Sequence, residues 1–282
     1  MEIVWGEILK IILFFNPTKH NKEYIEKNIS YIFESNNIEV LDILSASSFV
    51  NEKIANSADF YVVLGGDGTV LRISQIATFH NKPIISINLG TLGFLSAYSR
   101  EEIELAALDI KNKNLKFSSR YLIKCNIDGK NIIALNDFVI QKSQPVGTID
   151  LEVKVANHIL YSFLGDGIII STPTGATGYA LSSGGSIIDP DLNMMELVPL
   201  SPHALNIRPF IVSPNRSIEI NINNISAGFS YITGDGNIIK KLEPGTSIKI
   251  SGSEKRILLA QKNTETFYST LNKKLAFGRR FE

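Results

Sequence analysis

Tyr61-Val62-Val63-Leu64 runs directly into Gly65-Gly66-Asp67-Gly68-Thr69. An apolar strand that ends in three glycines and one carboxylate, with an amphipathic stretch behind it, has the chemistry of a phosphate loop. Glycines permit positive φ and let backbone amides approach an oxyanion, while the helix that follows offers its N-terminal dipole. Asp67 is the odd member. A carboxylate repels phosphate unless it holds a metal ion or orients a hydroxyl nucleophile, and both jobs belong to phosphoryl transfer. The same spacing fits a tight strand-to-helix turn in which Asp67 only caps the helix. Two better-known nucleotide patterns are missing: there is no G-x-x-x-x-G-K-[ST] anywhere, and the loop does not satisfy G-x-G-x-x-G.

A second region of unusual composition runs from Ser171 to Gly185, Ser-Thr-Pro-Thr-Gly-Ala-Thr-Gly-Tyr-Ala-Leu-Ser-Ser-Gly-Gly, after Gly165-Asp166-Gly167 and an expected strand Ile168–Ile170. Few folding reasons gather so many small hydroxyl and glycine residues. The composition suits a surface whose amides and hydroxyls bond phosphate or ribose, with Tyr179 adding an aromatic face or a phenol. It also fits a loop that merely links two strands. Asn136-Asp137, behind the expected strand Ile132–Leu135, adds an amide and a carboxylate that could grip a ribose diol, although such a pair commonly marks a turn.

These groups need elements to hold them. Up to about Ile110, short apolar runs alternate with amphipathic stretches, the pattern of parallel strands linked by helices. Expected strands are Ile11–Phe15, Glu39–Ile43, Phe60–Leu64 and Ile84–Asn88; expected helices are Tyr24–Phe33, Thr69–Phe79 and Glu101–Ile110, the last opened by a Ser99/Glu102 capping box. Beyond the Lys-Asn linker at 111–115 the texture turns to β-branched runs separated by turns such as Asp128-Gly129 and Glu243-Pro244-Gly245. This predicts an α/β domain over 1–115 and a β-rich domain over 116–262, with 263–282 returning to the first. The 282 residues carry zero formal net charge, so an anionic ligand must be held by local groups and no pull toward nucleic acid exists. The lone Cys125 excludes an intramolecular disulfide framework and fits a reducing compartment. Ile8–Phe15 is too short and too acidic in its flank for a signal sequence, and no run suffices to span a membrane, so a cytoplasmic protein is expected.

Taken together these segments resemble the NAD kinase family along nearly the whole chain: Asn16-Pro17, the Gly65–Thr69 loop, Asn88 through Leu95 (Asn-Leu-Gly-Thr-Leu-Gly-Phe-Leu), Asn136-Asp137, Asp166-Gly167, Ser171–Gly185, Ser201-Pro202-His203-Ala204-Leu205 through Arg208-Pro209, and Asp235-Gly236. The Gly-Gly-Asp-Gly loop alone also resembles lipid kinases, sphingosine kinases and phosphofructokinases; the Ser171–Gly185 segment chooses among them. The resemblance implies a Rossmann-like N-terminal domain, a β-sandwich C-terminal domain, an active site between them, and a homodimer or homotetramer. It implies transfer of the γ-phosphoryl of ATP, or of another donor such as polyphosphate, to the adenosine-ribose 2′-hydroxyl of NAD with Mg2+. Carried over, Asp67 contacts the acceptor ribose as base or orienting group, with Gly68 alongside. Phe94 lines the adenine pocket, Asn136 and Asp137 bind NAD, Asp166 and Thr174 bind base edges, and Thr177, Tyr179 and Ser182 hold the remaining contacts. Asp137 stands where many members have glutamate, and Gly178 where alanine is common; neither change removes a functional group. His203 reads as structural, and Arg208 as an ion-pair member or a phosphate neutraliser. Two other functions remain open at this point: a kinase with a diacylglycerol-like acceptor, and a nucleotide sensor without catalysis.

Overall fold

A computed structural model describes residues 8–90, 93–262 and 267–277. Thr91 and Leu92 of the Asn88–Leu95 motif lie outside the described residues. The chain divides into two compact units, one of residues up to Ser119 together with those from Ile257, the other Arg120–Arg256.

In the first unit, β1 (Leu9–Phe15), β2 (Ile38–Ser45), β3 (Phe60–Leu64) and β4 (Ile84–Asn88) form a parallel sheet in the order β4-β3-β1-β2. Every residue of β3 and β4 is buried, as expected of a parallel strand covered on both faces. The covering helices are α1 (Lys22–Ile25) and α2 (Tyr31–Ser35), joined through a wide turn Glu26–Ser30, then α3 (Glu52–Ser57), α4 (Asp67–His80) and α5 (Ile103–Lys111). Ile25, Ile29 and Phe33, at helical spacing, share a core with Ile11, Leu13, Val62 and Ile85. The expected helix Tyr24–Phe33 is thus present but broken by that wide turn, and α4 starts two residues earlier than expected, inside the glycine loop itself. The Ser99/Glu102 capping box forms both of its bonds. A short β5 (Tyr98–Ser99) pairs with β4, and on the same strand Leu259 pairs in parallel with Ile84. Leu271 of the helix Phe267–Leu275 is buried in its turn.

The second unit is built of antiparallel strands: β6 (Lys116–Ile127), β7 (Lys130–Ala134), β8 (Asp137–Lys142), β9 (Ile149–Val155), β10 (His158–Gly165), β11 (Gly167–Ser171), β12 (Met195–Leu200), β13 (Phe210–Val212), β14 (Ile218–Ile225), β15 (Ser230–Gly234), β16 (Asn237–Leu242) and β17 (Ser247–Gln261). One layer runs β10-β9-β14-β17, with β6 and β7 attached; the other runs β13-β12-β11-β8-β15-β16. Alternation sets the faces. Phe138, Ile140, Ile168 and Ile170 meet Leu151, Val153, Ile220 and Ile250 in one core shared by the two layers. Val139, Ile169 and Val198 point to the opposite face, where Ala180 packs on them. That outer face carries the Ser171–Gly185 segment, including the one-turn α6 (Tyr179–Ser182). Asp128 and Gly129, at φ 52° and 77°, make the tight turn expected between β6 and β7. No described helix is long and apolar enough to cross a membrane.

Candidate functional site

In the first unit the candidate residues gather at the carboxyl ends of β1, β3 and β4, the end of a parallel sheet where ligands bind in open α/β folds. Gly65 donates its N–H to the Ile87 carbonyl at 2.9 Å, which ties the loop to β4. None of the three loop glycines adopts positive φ, so the expected conformational reason does not hold. Gly65 is required by contact: a Cβ there would lie 2.6 Å from Thr69 Oγ1. Gly68 is exposed and has nothing within 4 Å of where a Cβ would stand. Its missing side chain leaves free space, not a turn.

Asp67 is the first residue of α4 and does not cap it; the cap is Gly66, whose position offers no side-chain bond. Instead the carboxylate accepts two backbone amides from another loop, Phe94 N–H at 2.8 Å and Leu95 N–H at 3.1 Å. A Cβ on Gly93 would fall 1.6 Å from Asp67 Oδ1, so glycine there is a condition of this cradle. The capping reading of Asp67 fails for that reason. Both oxygens keep lone pairs for a further donor. Phe94 is half-buried, and Lys274 Nζ sits 4.7 Å from its ring centroid, a cation–π contact that no sequence spacing announced. Asn88, buried at the end of β4, accepts the Gly90 N–H at 2.8 Å and so shapes the start of the same loop.

The second unit holds the other candidates. After β11, Thr172 Oγ1 accepts the Gly175 N–H at 3.1 Å and donates to the Leu135 carbonyl at 2.5 Å, pinning the segment to β7 and β8. Thr174 is 6% exposed and its hydroxyl has no partner; Asn136 Oδ1 is likewise buried without one. Thr177 Oγ1 turns back to the Thr174 carbonyl at 3.4 Å. A Cβ on Gly178 would lie 3.1 Å from the Gly175 carbonyl and 3.4 Å from Asn136 Nδ2, so glycine here lets the segment pack closely against Asn136.

Asp137 is 6% exposed, and its carboxyl makes no hydrogen bond to the described residues. Burial first, then the neighbouring Asp235 carboxylate, push it up to about 7. Asp235 occupies the tight turn between β15 and β16 at φ 48° and accepts the amides of Leu135 at 2.8 Å, Asn136 at 2.7 Å and Asp137 at 3.3 Å. Burial raises it to about 6 against the downward pull of those three amides. Sequence reading took Asp235-Gly236 only as part of a resemblance. Its tie to Asn136-Asp137 is about a hundred residues long-range and leaves no local signal.

Asp166, Tyr179 and Ser182 come together along a groove of about 460 Å³ that Lys142 also lines. Lys142 Nζ meets Asp166 Oδ1 at 2.6 Å and donates to the Pro145 and Gly147 carbonyls at 3.0 and 2.9 Å, which fixes the carboxylate it neutralises. Tyr179 is 46% exposed, and its phenol is raised by partial burial and by Tyr231, Asp166 and Asp137 nearby. Beneath the segment, Glu196 is fully buried on β12 and accepts the Ser186 N–H at 2.7 Å, holding the loop's exit. His203 is exposed, and Arg208 is exposed with its guanidinium on the Ile207 carbonyl and in no ion pair among the described residues. Among the described residues no group of three or more His, Cys, Asp or Glu is placed to hold a metal ion.

An acidic residue cradled at a phosphate loop in one unit, and a hydroxyl-rich segment with buried unpartnered polar atoms in the other, match known proteins. The ATP-NAD kinase N-terminal domain matches residues 2–114, and the ATP-NAD kinase C-terminal domain residues 135–261. An NAD kinase of Petrotoga mobilis is 52% identical over 97% of this chain and all of its own length; one from Chloroherpeton thalassium is 31% identical over 91% of this chain and 90% of its own. An NAD kinase from Archaeoglobus fulgidus, solved in complex with ATP, superposes with a TM-score of 0.77 at 27% identity over 96% of this chain and the whole of that one. A yeast NADH kinase solved with NADH shares the fold, at a TM-score of 0.84 and 23% identity over 99% of this chain and 91% of its own. With both halves of the chain matched and the loops in place, the chain belongs to the ATP-NAD kinase family.

Proposed function

We propose that this chain moves the γ-phosphoryl group of ATP onto the 2′-hydroxyl of the adenosine ribose of NAD, giving NADP and ADP. The observation that carries the reading is the Asp67 carboxylate, held by the Phe94 and Leu95 amides at the start of α4 beside the open space at Gly68. Asp67 accepts the ribose hydroxyl and orients its oxygen. The new O–P bond forms in line as the bond from the γ-phosphorus to the β,γ-bridging oxygen breaks, the hydroxyl proton leaving toward the carboxylate. Phe94 faces the adenine. Asn136 and Thr174 hold NAD with the buried polar atoms that the fold leaves unpartnered, and Asp137, Thr177, Asp166, Tyr179 and Ser182 complete the contacts.

Magnesium fits as a passenger of the donor triphosphate, since the described residues offer no carboxylate cage and Mg2+ is commonly bound through phosphates and waters. It would screen the phosphate oxygens. A cytoplasmic location agrees with the buried, unpaired Cys125. The test is to incubate the purified protein with Mg2+, ATP and NAD and to follow NADP with an NADP-specific dehydrogenase. NADP with matching ADP is expected. Donor hydrolysis without NADP, with NADH and polyphosphate also supplied, would remove the reading.

A further inference from the structure

A polar cleft of about 570 Å³ on the second unit shares no lining residue with the Asp166–Tyr179 groove. Its floor is Tyr121, 3% exposed, whose hydroxyl donates to the Pro214 carbonyl at 3.3 Å. Gly252 makes that floor possible, because a Cβ there would stand 2.1 Å from the Tyr121 hydroxyl. Arg256 lies 5.0 Å over the Tyr121 ring and donates to Asn193 Oδ1 at 2.6 Å, so its fork is held in place with other N–H groups to spare. Lys124 faces the cleft with only a loose pair to Glu254, 3.9 Å away and 97% exposed. Arg216 is exposed, and its guanidinium has no partner among the described residues.

Three cations against one solvated carboxylate repel one another, and the Arg216 guanidinium makes no bond among the described residues that would offset this. Serine hydroxyls at Ser217 and Ser251 add neutral donors at the rim. No aromatic face is open to stack a base, since the Tyr121 ring is buried under Arg256. We infer that this cleft binds a small, multiply charged oxyanion of the phosphate class, with inorganic diphosphate as its simplest representative. Guanidinium forks and hydroxyls match tetrahedral oxyanions, and the absent stacking surface leaves a nucleoside unrecognised.

The test is calorimetric titration of the full-length protein with inorganic diphosphate in magnesium-free, low-salt buffer, beside Arg216→Ala, Lys124→Ala/Arg216→Ala and Arg216→Lys. Wild type is expected to show one more site than the double variant. Arg216→Ala should bind that site about tenfold more weakly, Arg216→Lys should recover most of the loss, and the affinity should fall as chloride rises. Michaelis constants for NAD and ATP should stay unchanged in all three variants, which separates this cleft from the donor site. Identical isotherms for wild type and the double variant would overturn the inference, as would loss of the site in Arg216→Lys together with Arg216→Ala.

Discussion

Two amides hold the Asp67 carboxylate in a fixed orientation, one on each oxygen, so an asparagine there removes the charge and keeps one of the two bonds. Asp67→Asn is expected to abolish turnover while NAD affinity stays within about tenfold, roughly 1.4 kcal/mol; retained turnover in the coupled assay would end Asp67's role. Gly93→Ala should be as damaging by a different route, because the new methyl must displace the carboxylate from its cradle. Its signature is lost turnover with a lowered melting temperature. The buried pair gives a pH prediction. Asp137 and Asp235 are both raised from the ordinary value of 3.8, to about 7 and about 6, so between those values the folded chain binds more protons than the unfolded one. Their contribution to stability is therefore lost as pH rises from about 4 to about 7. Asp137→Asn, which cannot charge, should raise stability at pH 8 by about 1–3 kcal/mol and change little at pH 4.5, read by denaturant melts at both values. Asp67 and the segment around Tyr179 were legible in the sequence because their types are odd in place. Gly93's contact, Lys142 and Asp235 were not, since each acts through a partner distant in sequence.

At the level of elements, the clearest sequence signals were local ones. The Ser99/Glu102 box lies within three residues and forms as read; Ser99→Ala should lower stability by about 1 kcal/mol. The strand Phe60–Leu64 is a continuous apolar run and Ile84–Asn88 is one interrupted by Ser86; both fall where expected, because each is buried on both faces. What periodicity could not convey was the wide turn inside the first helix, or which strand of the second unit lies beside which. The order β13-β12-β11-β8-β15-β16 depends on pairings far apart in the chain. Asp235 shows the cost of such a pairing most directly. Asp235→Ala leaves three amides at the start of β8 without an acceptor, and an expected loss of about 2–4 kcal/mol would be visible in a urea melt. A stability change under about 0.5 kcal/mol would mean that water replaces the carboxylate.

For the molecule as a whole, the decisive feature is that one unit is built from two separated stretches of chain. The composition shift near residue 115 pointed to a change of domain, but no sequence pattern shows Leu259 pairing with Ile84. A chain ended at Ser119 should consequently fail to give a soluble, cooperatively melting species. The same arrangement sets an order in time. On the ribosome β4 emerges early, yet the strand carrying Leu259 follows only after the whole second unit has been made, on the order of ten seconds later at ordinary elongation rates. Through that interval the nascent chain presents an unfinished strand edge at Ile84, and β17, whose first half completes a layer of the second unit, is the strand that also reaches it. Birth order and completion order are thus reversed: the half of the enzyme that bears Asp67 is synthesised first and finished last.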